Sequence, residues 1–149
     1  MTGNATDSVA VKIASLATPA ISATARFTTT ALPSYSAALT SPLTAQADYV
    51  GHTVMYNVRL TNTGTITDFY LINHDRSGWA TTLEPSSQQL APQAGVEVVA
   101  HVSIPLTATH GATDTVRLFV NGAAHAYELD LITTALTYRV FLPIVLGGE

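Results

Sequence analysis

The strongest constraint on this chain is a two-residue period. Val96, Val98, Ala100, Val102 and Ile104 share one parity of a single run that Pro105 ends. Successive side chains of a strand point to opposite faces, so such a run buries one face and shows the other to solvent. The same period recurs in Leu43, Ala45, Ala47 and Tyr49, in Val54, Tyr56, Val58 and Leu60, in Val116, Leu118 and Val120, and in Tyr127, Leu129 and Leu131. A further run carries Ile66, Tyr70 and Ile72 on one parity and Phe69 and Leu71 on the other, which predicts cover on both its faces. Turn chemistry separates the runs: Gly51, Asn62-Thr63-Gly64, Leu90-Ala91-Pro92-Gln93-Ala94-Gly95 and Asn121-Gly122, with Ser77-Gly78 and Pro85-Ser86 bracketing a short strand at 79–83. About seven short strands spaced in this way, with no helical period after Leu43, predict an all-β chain folded as a Greek-key β-sandwich. Its expected core is Val54, Tyr56, Val58, Leu60, Trp79, Val98, Val102, Ile104, Leu118 and Leu129.

Three regions follow: an N-terminal extended segment over 1–42, the sandwich over 43–134, and a strand-like tail over 135–149. No glycine stands between Gly3 and Gly51, and small residues dominate the first region. Val9, Val11 and Ile13 alternate there, as do Ile21, Ala23, Ala25 and Phe27, while Pro19, Pro33 and Thr28-Thr29-Thr30 argue against one long helix. In the tail, residues 137–146 are apolar but are interrupted by Pro143, which lacks a ladder donor.

Composition excludes several kinds of chemistry. The 149 residues include no Cys, which removes disulfides, Cys-ligated zinc, iron–sulfur clusters and thiol catalysis. A net charge of −4 offers no basic footprint for nucleic acid. Unbroken apolar runs fall far short of the roughly 18 residues that a membrane helix needs. Charged residues make up only 11%, and mean hydropathy is +0.28, so apolar surface must be hidden in a core or against another copy. The Thr-rich, Lys-poor composition suits an extracellular or cell-surface protein. No signal peptide follows Met1, so either the protein stays inside the cell or the numbering begins at a mature or cloned boundary.

Candidate reactive groups are sparse. Asn73-His74-Asp75 sets a His beside a carboxylate, but neighbours on a strand diverge, and Asx bonding in a loop is the better reading. His52, His101, His110 and His125 lack the i,i+2 or i,i+4 spacing of metal ligands. Asp68 and Asp114 lack the several oxygens from one loop that calcium wants. No nucleophile elbow and no phosphate loop is present. The sequence therefore predicts a non-enzyme with no catalytic residues, no cofactor and no required metal, and its lone Trp79 is expected in the core rather than on a sugar-stacking face.

Residues 57–64 (NVRLTNTG), Asp68-Phe69-Tyr70-Leu71, Ser77-Gly78-Trp79, Leu83-Glu84-Pro85, residues 90–95, Val102-Ser103-Ile104-Pro105 and Gly111-Ala112-Thr113-Asp114 follow one another as pieces of a single pattern. In order and spacing this resembles the alpha-galactosidase-associated immunoglobulin-like domains of bacteria and archaea, repeated modules of secreted surface proteins and hydrolases. The resemblance covers about residues 43–134 and implies an immunoglobulin-like sandwich without a family-defining catalytic residue. In its pattern Asp68 and Asp114 stand at strand starts and ends, where they are expected to accept backbone N–H bonds, and it favours reading the numbering as beginning at a mature or cloned boundary. Residues 138–146 are similar to a terminal segment of exported proteins of filamentous green bacteria.

Residues 8–30 are apolar, strand-like and unnecessary for a seven-strand sandwich. They predict a structural subunit that associates with copies of itself by strand complementation, into a homo-oligomer or filament. Val9, Val11, Ile13, Ile21 and Phe27 are the expected anchors, on a strand over 9–17 that would span about 30 Å. The alternative is an accessory module of a larger secreted hydrolase or adhesin, spacing its neighbours or binding a cell-surface glycan.

Overall fold

In the computed structural model, residues 5–75 and 78–138 are described. They form strands β1 (Thr6–Ala14), β2 (Ser22–Thr30), β3 (Ala37–Thr40), β4 (Ala45–Tyr49), β5 (Thr53–Asn62), β6 (Asp68–His74), β7 (Ala80–Glu84), β8 (Ser87–Leu90), β9 (Gly95–Ser103), β10 (Thr113–Asn121) and β11 (Ala126–Leu136). β3 to β11 make two packed sheets, ordered β3-β5-β9-β7 and β4-β11-β10-β6-β8, and β1 pairs with β2 in a sheet of its own. The pairing of β4 with β11 is parallel, and the other ladders are antiparallel.

The two-residue period does what it predicts. On β5, Val54, Tyr56, Val58 and Leu60 are buried, and each residue between them is exposed. They meet Val98, Ala100 and Val102 of β9 across the same sheet, and Tyr70, Ile72, Val116, Leu118, Val120 and Leu131 of the facing one. Trp79 and Leu129, expected inside, are only partly buried and pack against the rim of this core. All seven expected strands are present, joined by β3 and β8. Each has four residues, too few to display a period. β3 precedes Leu43 yet pairs with β5, so the sandwich reaches back into the N-terminal region.

Two local expectations change. Phe69 and Leu71, expected under cover, are about half exposed (52% and 49%), because the described residues form no layer over the outer face of the five-stranded sheet. Asn62-Thr63-Gly64 is not a hairpin between paired strands: β5 and β6 belong to different sheets, and the turn is a corner between them. Asn62 holds the corner from inside. Its buried amide donates to the carbonyls of Ile66 and Leu90, both at 2.9 Å, and its Oδ1 accepts from Gly64 N. A side chain on Gly64 would stand 2.4 Å from the Ser34 carbonyl, which is why the corner needs glycine.

Candidate functional site

The polar groups singled out from sequence serve the fold. Asp68 opens β6 and accepts from Phe69 N (2.8 Å) and Ala123 N (3.2 Å). Asp114 accepts from Gly78 N (2.9 Å) and Trp79 N (3.3 Å), tying β10 to the loop before β7. His74 Nδ1 lies 2.6 Å from the Asp75 carbonyl, and the Asp75 carboxylate accepts from Arg117 N at 3.0 Å. Among the described residues, no three His, Asp or Glu side chains gather as a metal site would require. On the solvent face Arg117 reaches Asp130 at 2.7 Å, a hydrogen bond that lowers the Asp130 pKa. Asp48 is also lowered, first by the Tyr49 N–H and then by His52 beside it. Inside, burial pushes the Tyr70 hydroxyl up to about 12, and the nearby Asp68 adds to the shift. A shallow depression of about 370 Å³ is lined by Thr40, Pro42, Asn57, Arg59 and Glu97, with no buried reactive group at its floor.

The unusual surface is at the N-terminal end. β1 and β2 pair along their whole length, Thr6 opposite Thr30 and Ala14 opposite Ser22. Their loop closes through Ser15 N to Ile21 O (3.0 Å) and Ile21 N to Thr18 O (2.8 Å), with Thr18 N donating to Ser15 Oγ (3.2 Å). No Gly, Asn or Asp marks this turn; Ser15 and Pro19 shape it. The single strand over 9–17 is therefore corrected. β1 ends at Ala14, one of its edges is already taken by β2, and residues 15–17 belong to the loop.

The register sorts this hairpin into two faces. Val9 lies opposite Phe27, Val11 opposite Ala25 and Ile13 opposite Ala23; the other face carries Ser8, Lys12, Thr24, Arg26 and Thr28. Every residue of both strands is exposed, Phe27 at 63% and Ile13 at 71%. Four of the five expected anchors thus share one face, and Ile21 stands beside it at the end of the loop. An amphipathic two-stranded ribbon with its apolar face in water is marginal alone. The C-terminal candidate lies for the most part in residues 139–149, outside the described residues. Before it, Tyr138 stacks on Tyr49 with ring centres 4.1 Å apart.

No protein-family model matches the sequence, and no curated protein is similar to it at a significant level. Solved structures do match. A family 123 glycoside hydrolase from Clostridium perfringens superposes with a TM-score of 0.55 at 8% identity, over 70% of this chain and 27% of that one. This chain thus spans about a quarter of the hydrolase. With β4 and β8 set aside, seven strands of the two packed sheets remain: one sheet ordered first-second-fifth-fourth (β3-β5-β9-β7) faces another carrying the last two beside the third (β11-β10-β6), in the strand order of antibody-type sandwiches. The fold is immunoglobulin-like. Weaker likenesses are the ASH/PapD-like domain of human CEP192 (TM-score 0.49, 12% identity, 69% of this chain and 87% of that one) and domains 4 and 5 of the S-layer protein SbsC (0.43, 14%, 76% and 59%).

Proposed function

We propose that this protein is a non-enzymatic structural module of an exported or cell-surface assembly, and that it joins other copies of its kind through the β1–β2 hairpin. The observation that carries the reading is the exposed apolar face of Val9, Val11, Ile13 and Phe27 on a ribbon with no buried residue. Charge supports it. The hairpin holds Lys12 and Arg26 against Asp7, whereas carboxylates outnumber arginines between β3 and β11, so hairpin and sandwich attract. The resemblance of residues 43–134 to the pattern of alpha-galactosidase-associated domains, and the Thr-rich, Cys-free composition, support an extracellular setting. A hairpin of one copy seated on the sandwich of the next is a heterologous contact, which propagates into open chains.

Sedimentation velocity across a concentration series tests this. The full chain is expected to associate as its concentration rises, and the chain lacking residues 1–30 to remain monomeric. Identical assemblies from both would overturn the proposal.

A further inference from the structure

The hairpin that opens the chain repeats the hairpin that closes the sandwich. Ala5-Thr6-Asp7 and Val9 recur as Ala112-Thr113-Asp114 and Val116, and Thr29-Thr30-Ala31-Leu32 recurs as Thr133-Thr134-Ala135-Leu136. The ladders coincide as well. β1 and β10 each have nine residues. Thr6 pairs with Thr30 and Asp7 with Thr29, as Thr113 pairs with Thr134 and Asp114 with Thr133, and the correspondence continues to Ala14–Ser22 and Asn121–Ala126. Nine paired positions and equal register in two hairpins whose loops differ point to one structural unit used twice.

The environments differ in one respect. Val116, Leu118, Val120 and Leu131 are fully buried between the sheets, whereas their counterparts Val9, Val11, Ile13 and Phe27 are open to solvent. Polar positions show the same contrast. Thr133 is buried with its hydroxyl 2.9 Å from that of Tyr56, and Asp114 holds two backbone N–H groups. Their counterparts Thr29 and Asp7 border a depression of about 400 Å³ at the base of the hairpin, where Asp7 accepts from its own neighbour Ser8 N. The hairpin is patterned for an interior that it does not have here.

We infer that β1–β2 is the closing hairpin of a second immunoglobulin-like sandwich, built of strands like β3 to β9 and placing Val9, Val11, Ile13 and Phe27 in its core. This shares with the proposed function only the reading of the hairpin as a joint: in another copy of this chain β10–β11 already fills the place, so the recipient is a sandwich that lacks its own closing hairpin. The recipient is not the chain's own sandwich. β10–β11 fills that place, and the connection is too short for an exchange: Leu32, the counterpart of Leu136, lies five residues before Ala37, a reach of at most about 18 Å. Ala37 N bonds the Tyr127 hydroxyl near the start of β11, whereas Leu136 lies beside Tyr49 at its far end, about nine residues or roughly 30 Å away. The hairpin must therefore complete another module, setting two sandwiches in a head-to-tail row.

The test adds a second copy of residues 31–112 directly before Thr6 of the chain. The added strands are expected to fold on β1–β2 into a protease-resistant module with its own partly buried Trp79, doubling the change in tryptophan emission on unfolding. Phe27→Asp should then unfold the added module and leave the original sandwich intact. Ala25→Leu, which copies Leu129, should raise the added module's melting midpoint. An added segment that stays protease-sensitive, or a Phe27→Asp chain that retains both modules, overturns the inference. Sedimentation of the unextended chain separates the two ideas. Association without folding of the added segment sinks the inference alone, and folding without association sinks self-association alone while upholding the inference.

Discussion

Single residues hold the interior by satisfying polar groups where water is excluded. Tyr56 donates to the Ile132 carbonyl at 2.6 Å and lies within hydrogen-bond distance of Thr133, so a phenol and a threonine are bridged across the sheets. Asn62 serves three backbone groups at the β5–β6 corner; Asn62→Ala would take this partner from the Ile66 and Leu90 carbonyls, while Gly64 N keeps the Ser36 carbonyl at 3.0 Å. The expected cost is about 2–6 kcal/mol, since each of two unsatisfied buried groups costs about 1–3, and urea unfolding would measure it. Leu60→Ala empties a fully buried site and should cost about 2–5 kcal/mol; a loss below about 0.5 would contradict its burial. Tyr70 predicts alkaline behaviour. Its pKa is raised from 10.0 to about 12, so the folded state holds its proton more tightly than the unfolded chain does. That contribution is intact below pH 10 and is lost as pH rises through about 12. Tyr70→Phe should flatten the decline in melting temperature over that window.

At the scale of elements, alternation located every strand long enough to show it and failed where strands were short or doubly apolar. β8 reads Ser-Gln-Gln-Leu and contributes one buried side chain, so nothing in its residues distinguishes it from a loop; its pairing with β6 makes it a strand. β6 is apolar on both parities, and which parity lies inside depends on which face meets the other sheet. The hairpin shows the opposite case. Its anchors were legible as an alternating set, but the loop that folds β1 onto β2 lacks Gly, Asn and Asp, so two separate strands were expected. The signal that would have exposed its role was the repeat of Ala-Thr-Asp and Thr-Thr-Ala-Leu at its two ends. Because its strands bury nothing in the sandwich, Phe27→Asp in the full chain should leave the sandwich's stability within about 0.5 kcal/mol of its original value. A larger loss, by calorimetry, would mean that the ribbon supports the domain that carries it.

Apart from Asp68, buried at the start of β6, the charged side chains among the described residues lie at or near the surface. Asp48 and Asp130 are both lowered below 3.8 in the folded state, by the Tyr49 N–H and by Arg117 respectively. Their stabilisation is present above the unfolded carboxylate value and lost as pH falls through the lowered ones, so it fades below about pH 4. Both groups are solvent-exposed, and salt should screen the effect. Acid titration of wild type and Asp130→Asn at low and high salt measures it, with convergence of the two curves expected at high salt. Stability is expected to be unchanged by EDTA, since the carboxylates at strand ends already accept backbone N–H bonds. A fall in melting temperature on chelation would place a cation at Asp68 or Asp114.

Period and turn chemistry were enough to specify an all-β sandwich, its parity and most of its core, because burial of one strand face is a local pattern that each residue either obeys or breaks. They also marked Val9, Val11, Ile13 and Phe27 as a set that needs cover. Which strands share a sheet, that Asn62-Thr63-Gly64 turns a corner rather than closing a hairpin, and that β1–β2 duplicates β10–β11 in register were decided by tertiary structure. Pairing partners are chosen by contacts between segments far apart in sequence, and the energy of those contacts appears in no single window of residues.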